Sequence, residues 1–180
     1  MSDVQIQNVV AVASLNQKID LPSIMKVFRS AEYRPKKFPG LVYRLKRPKT
    51  STLIFGSGKM VCTGAKSEKQ AQSAVRKVVR ELKNNGIIIL EKPEIEITNI
   101  VASADIGGRI DLEMVGEVMD NAMYEPEQFP GLIYRMTEPK VVFLLFSSGK
   151  IVITGGKSEE EVKQAADKIR AILKDHELIF

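Results

Sequence analysis

The chain has 180 residues, 44% of them apolar and 27% charged, with a net charge of +5. That composition describes a folded globular protein of one or two small domains and excludes a disordered chain. No apolar run nears the ~20 residues a membrane helix needs. The start, Met1-Ser2-Asp3-Val4, lacks a basic-then-apolar leader, and the single cysteine, Cys62, cannot close an internal disulfide, so an intracellular, reducing location is expected.

In chain order, residues 4–14 are β-branched and apolar-rich and predict a strand. Asp20-Leu21-Pro22 is a helix-entry signal for a short helix to about Ser30. A short strand and a loop ending at Phe38-Pro39-Gly40 follow. Three strands are predicted near 41–47, 51–57 and 60–66, turning at Pro48-Lys49 and at Gly56-Ser57-Gly58-Lys59. A long helix closes the set: Ser67 with Gln70 has capping-box spacing, and Asn84-Asn85-Gly86 ends it. Ala71, Ala74, Val75, Val78, Val79 and Leu82 recur on one helical face.

From residue 92 the same succession returns. A shift of 91 residues aligns the halves without a gap, and 18 of the 30 positions from 38 to 67 are identical in 129 to 158. Ser158 with Glu161 caps the second long helix, whose apolar face is Val162, Ala165, Ala166, Ile169, Ile172 and Leu173. Two domains of one fold are expected, 1–91 and 92–180, each α+β with an antiparallel sheet backed by two helices. Charge ignores this symmetry. The first half holds 17 Lys and Arg against 6 Asp and Glu, a net of +11; the second holds 10 against 16, a net of −6.

A sheet with helices on one face and water on the other should alternate apolar and polar residues. These strands do not: Leu53-Ile54-Phe55 and Val141 through Phe146 are apolar throughout. The second face therefore needs a cover. Either the two sheets pack together or dimerise, or they join side by side and leave an apolar face for a ligand. Stepping by two, that face would carry Leu53, Phe55, Ser57, Val61 and Thr63, with Leu144, Phe146, Ser148, Val152 and Thr154. Asn8, Val10, Asn99 and Val101 would join from the first strand of each repeat, and Lys59, Lys150, Arg44 and Arg135 lie near the edges. Such a face suits a DNA minor groove: apolar contact for sugars and base edges, a few hydrogen-bonding groups, and cations for phosphates.

Other readings are weaker. Gly-Ser-Gly-Lys and Ser-Ser-Gly-Lys lack the first glycine of a phosphate loop, and Met60 or Ile151 stands where Ser or Thr should hold magnesium. His176 belongs on a solvated turn and Cys62 in the core. The stripe Lys69, Arg76, Lys77, Arg80 and Lys83 is by default a solvated face. No paired carboxylates or histidine cluster suggests an enzyme, a metal or a cofactor.

The doubled Phe-Pro-Gly-Leu-aliphatic-Tyr-Arg block, the doubled Phe-x-Ser-Gly-Lys block, the Thr-Gly-x-Lys-Ser run before each long helix and the Asn-aliphatic-Val-Ala opening resemble the TATA-binding protein family across nearly the whole chain. The resemblance implies a saddle, with a curved ten-stranded antiparallel sheet on DNA and helices on the convex side. It implies a general transcription initiation factor that binds and bends TATA-box promoter DNA through the minor groove. Phe38, Phe55, Phe129 and Phe146 would intercalate. Asn8, Asn99, Thr63 and Thr154 would donate hydrogen bonds, and Val10, Val101, Val61, Val152, Leu53 and Leu144 would pack on bases and sugars. Phosphates would fall to Arg44, Lys59, Lys66, Arg135, Lys150 and Lys157. The loop Tyr124 through Gln128 would recruit the B-type initiation factor through Glu125 and Glu127, and RNA polymerase with it, whereas the first loop, Tyr33-Arg34-Pro35-Lys36-Lys37, is basic. The short chain looks archaeal-like, which implies a cytoplasmic, nucleoid-associated protein, or a nuclear one if eukaryotic.

Overall fold

The computed structural model describes residues 4–180; Met1–Asp3, on which part of the expectation about a leader rests, lie outside the described residues. Compact packing divides the chain into two units, one of Asn8–Thr98 and one of Asn99–Phe180 with the residues up to Gln7. The division thus falls inside two strands, β1 (Gln5–Ser14) and β5 (Glu94–Asp105), rather than at the repeat junction near residue 91.

In the first unit β1 is followed by α1 (Leu21–Val27), β2 (Leu41–Lys46), β3 (Lys49–Ile54), β4 (Lys59–Ala65) and α2 (Glu68–Asn84), and the strands run in the order β2-β3-β4-β1. In the second unit β5 is followed by α3 (Leu112–Val118), β6 (Ala122–Tyr124), β7 (Leu132–Met136), β8 (Val141–Leu145), β9 (Lys150–Gly156) and α4 (Glu159–Asp175), in the order β5-β9-β8-β7-β6. The pairings within each unit are antiparallel.

Each long helix begins where its serine can cap it: Ser67 Oγ accepts from Gln70 N, and Ser158 Oγ from Glu161 N, both at 3.0 Å. At the other end Gly86, at φ 91°, and Glu177, at φ 55°, turn the chain left-handed. Ile87 N then donates to Leu82 O and Leu178 N to Leu173 O, which satisfies carbonyls the helix leaves open. All six expected residues of the α2 face are buried; on α4, Ile172 alone of its six is only partly so. The helices cover one face of each sheet: α2 lies on β2, β3 and β4, and α4 on β9. The core is the layer between.

Three expectations are corrected. The described residues hold nine strands, not ten. The missing one is the first-repeat partner of β6, which shrinks to a single bridge between Glu32 and Val42. In the second repeat Asn121, at φ 64°, turns so that its carbonyl accepts from Arg135 N at 3.1 Å and lengthens the ladder. Ser30 occupies the matching position, and serine adopts that left-handed conformation far less readily than asparagine. Secondly, α1 stops at Val27 rather than Ser30, because Phe28 goes extended and sets its ring edge-on to Tyr43, 5.0 Å between centroids. Asp20 marks its start but accepts from the Ser23 hydroxyl instead of a backbone N–H. Thirdly, β3 ends at Ile54, since Phe55 N already donates to Lys59 O across the turn. Ser57 and Ser148 therefore sit in exposed turns, off the sheet face, where each hydroxyl accepts from the lysine two residues on.

Candidate nucleic-acid interface

Strand pleating sorts the uniformly apolar strands by burial. On β1, β3 and β4, Val9, Ala11, Thr52, Ile54, Met60 and Cys62 are sealed beneath the helices, while their neighbours Val10, Leu53, Val61 and Thr63 stay half-exposed. The second unit repeats this. Ile100, Ala102, Phe143, Leu145, Ile151 and Ile153 are buried, and Val101, Leu144, Val152 and Thr154 are half-exposed. Burial of Cys62 raises its thiol pKa, as befits an inert core residue.

The ladders align these side chains into rows. Val12, Val61, Leu53, Val42 and Glu32 are successive partners in the first unit; Ser103, Val152, Leu144, Ile133 and Met123 are their counterparts. Apart from Glu32 and Ser103 at their ends, each row is a strip of apolar surface.

Beside each strip, two residues past Leu53 and Leu144, stand Phe55 and Phe146, each with a second phenylalanine, Phe38 or Phe129, against it. Phe38 is 43% exposed and Phe129 39%, unusual for aromatic side chains that could have folded inward. Phe38 meets Phe55 edge to face at 5.9 Å and 64°, and Phe129 meets Phe146 at 6.0 Å and 65°. The backbone before each exposed ring is pinned, Phe38 N donating to Arg34 O and Phe129 N to Glu125 O, both at 3.0 Å. The loops that carry Arg34 and Glu125 thus share a backbone form and differ in charge. Glu125 and Glu127 are both exposed.

The asparagines are oriented by a feature that sequence reading missed. Each repeat has a bulge where β1 or β5 meets its neighbour, between Val9 and Ala11 and between Ile100 and Ala102. Gly64, at φ 97°, and Gly155, at φ 95°, lie in these irregular stretches and aim their N–H groups at an asparagine side chain. Asn8 Oδ1 accepts from Gly64 N at 2.6 Å, and Asn99 Oδ1 accepts from Gly155 N at 2.7 Å. With its oxygen occupied, each side chain has its amide N–H groups left to offer. A minor-groove floor of adenine N3 and thymine O2 is made of acceptors, so donors are what it requires.

The cations rim this surface unevenly. Arg44 on β2 stands exposed between buried Tyr43 and Leu45, Arg135 on β7 stands exposed between half-buried Tyr134 and buried Met136, and Lys59, Lys66, Lys150 and Lys157 are exposed at the ends of β4 and β9. In the first unit Arg44, Lys46, Lys49 and Lys66 line one groove of about 1050 Å3 together with Ser51 and Thr63. Thr137 and Glu161 replace Lys46 and Gln70 at the matching places of the second unit. Arg44 is itself held: its guanidinium donates to Glu32 at 3.0 Å. Arg135 faces no such carboxylate from that position, because Met123 stands in place of Glu32. Gln7 was also missed; its amide donates to Ser103 Oγ at 2.8 Å, and it lines a hollow with Phe146, Lys150 and Val152.

His176 ends α4 with its ring against Ile172 O and is exposed. Among the described residues no group of three or more His, Cys, Asp or Glu could hold a metal ion, and no helix is long and apolar enough to cross a membrane.

Comparison with known proteins agrees with this anatomy. The family described as "Transcription factor TFIID (or TATA-binding protein, TBP)" matches residues 3–85 and again 94–176. The TATA-box-binding protein of Pyrodictium occultum is 56% identical over 94% of this chain and 85% of its own length. That of Methanocaldococcus jannaschii is 49% identical over 96% and 94%. A solved structure, "Methanococcus jannaschii TBP", superposes with a TM-score of 0.87 at 49% identity, covering 96% of this chain and 98% of that one.

Proposed function

Since the chain belongs to the TATA-binding protein family of transcription factors, we propose that it is a general initiation factor that binds TATA-like promoter DNA in the minor groove and bends it. The observation that carries this reading is a pair of phenylalanines, one ring of each pair exposed, beside an aliphatic strip with asparagine amides left free to donate by their bound oxygens, built twice. Repeats 1–91 and 92–180 each supply one half of the reading surface. Phe38 with Phe55, and Phe129 with Phe146, enter the base stack, in the wedging mode for which this family is the reference case. Unstacking is cheapest at flexible TA steps, so the deformation itself selects sequence.

Asn8, Asn99, Thr63 and Thr154 donate to groove acceptors, while Val10, Leu53, Val61, Val101, Leu144 and Val152 displace water from sugars and base edges. A G·C pair would place an amino group against these apolar side chains without a partner, which disfavours it. Arg44, Lys59, Lys66, Arg135, Lys150 and Lys157 take phosphates. The exposed Glu125 and Glu127 form the docking point for the B-type initiation factor, which brings RNA polymerase. Promoter DNA places the protein at the nucleoid of an archaeal-like cell.

Two measurements test this. A TATA-box duplex should be retained in a gel shift where a duplex with G·C substitutions is not; equal retention of both contradicts the reading. Replacing Glu125 and Glu127 with lysine should abolish the supershift by B-type factor and leave the DNA complex intact. A supershift of unchanged strength would remove the loop from the interface.

A further inference from the structure

We propose that Gly40 and Gly131 are positioning residues, bare seats that set the exposed phenylalanine rings against their partners; this rests on the wedge reading above. A Cβ built on Gly40 would lie 2.7 Å from Phe38 Cε2 and 3.0 Å from Phe55 Cε1. On Gly131 it would lie 2.7 Å from Phe129 Cε2 and 3.0 Å from Phe146 Cε1. The same crowding recurs in both units.

The reason for glycine is space rather than backbone freedom. Neither residue is among the glycines with positive φ, so the backbone at both positions suits any L-residue. The nearest atoms to the missing Cβ are ring carbons, and Phe38 and Phe129 are exposed enough to move away.

An alanine would therefore leave the sheet and core in place and push the exposed ring off its neighbour. The proline between them narrows the remaining freedom, since Pro39 and Pro130 fix their own φ and the backbone N–H of each phenylalanine is already engaged. Ring direction is then set by the glycine seat and the edge-to-face contact. A wedge held in the angle it needs spares the cost of ordering it on DNA, and misdirection would appear chiefly as faster release.

Gly131→Ala tests this in three readouts. In the free protein, the nuclear Overhauser contacts between the Phe129 and Phe146 rings should weaken or vanish; intact contacts overturn the proposal. On a TATA duplex, the bend read by fluorescence transfer should shrink and dissociation should speed up by about tenfold. In a Phe129→Leu background, which lacks the exposed ring that the added Cβ would crowd at 2.7 Å, Gly131→Ala should have much less further effect on dissociation. An equal effect in both backgrounds shows that the glycine acts otherwise. Should Gly131→Ala fail to fold, Phe129→Leu/Gly131→Ala should fold; if it too is unfolded, the seat is refuted. The ring contacts are measured without DNA, so a wild type that never bends TATA DNA defeats the proposed function alone.

Discussion

An asparagine can offer a ligand either its carbonyl or its amide, and in both units a glycine N–H makes that choice. Asn99→Asp isolates the consequence, because a carboxylate can still accept from Gly155 but presents a negative acceptor outward. TATA affinity is expected to fall by about 1–3 kcal/mol, measured by anisotropy, with the melting temperature nearly unchanged. Unaltered affinity would mean that the amide does not face the groove floor. Glu32 poses the opposite case. Its bond to Arg44 joins two side chains more than half exposed, 54% and 52%, so it contributes little to stability, yet it engages a cation proposed for phosphate. Glu32→Met, which copies the second repeat, should tighten binding at low salt. The slope of log affinity against log salt should steepen by about 0.9 if Arg44, once released, neutralises one more phosphate. An unchanged slope would show that Arg44 is already free to reach DNA.

At the scale of elements, the two repeats solve one packing problem differently. Phe28, just past α1, packs on Tyr43 in the first unit; Phe143, on β8, packs on Tyr134 in the second. Thr52 stands where Phe143 stands, and Met119 where Phe28 stands. The first core is left more polar. Thr50 and Thr52 are buried beside Cys62, and Thr52 Oγ1 has no oxygen or nitrogen partner among the described residues and only the thiol near it. Tyr43 donates to Glu81, and burial followed by that carboxylate drives its phenol far above the ordinary range. Thr52→Val keeps the shape and removes the unpaired hydroxyl. It should stabilise the protein by about 0.5–1 kcal/mol, seen as a raised denaturant midpoint at constant slope. A lowered midpoint would mean that the thiol contact matters.

These elements also show what a linear reading can reach. The long helices were legible because cap, period and stop agree within one segment, as with Ser67, the six buried residues and Gly86. The strands were legible, though not their ends, because the Phe55 and Phe146 turn bonds cut them short. The doubled blocks located the phenylalanines and asparagines that are proposed to meet DNA. What orients them was not legible: Asn8 and Gly64 are 56 residues apart and meet through a bulge, which has no local signature. Gly40 reads in sequence as an ordinary turn glycine, and only two rings folded over it reveal its use. The tenth strand was implied by the family resemblance, and in the first repeat, where Ser30 stands in place of Asn121, it is reduced to a single bridge.

For the whole molecule, near-identical phenylalanine pairs sit in repeats of opposite charge, +11 and −6. On the proposed reading the phenylalanines bend DNA and the cations attract it in a salt-dependent way, so the two properties should be separable. Fluorescence transfer across an end-labelled TATA duplex, read at saturating protein for wild type and for Phe129→Ala/Phe146→Ala, separates them most directly. Wild type should draw the ends together, and the double variant should bind more weakly and draw them together much less, keeping only the bend made by Phe38 and Phe55. A saturated double variant that bends DNA as far as wild type would contradict the wedge role on which the account depends.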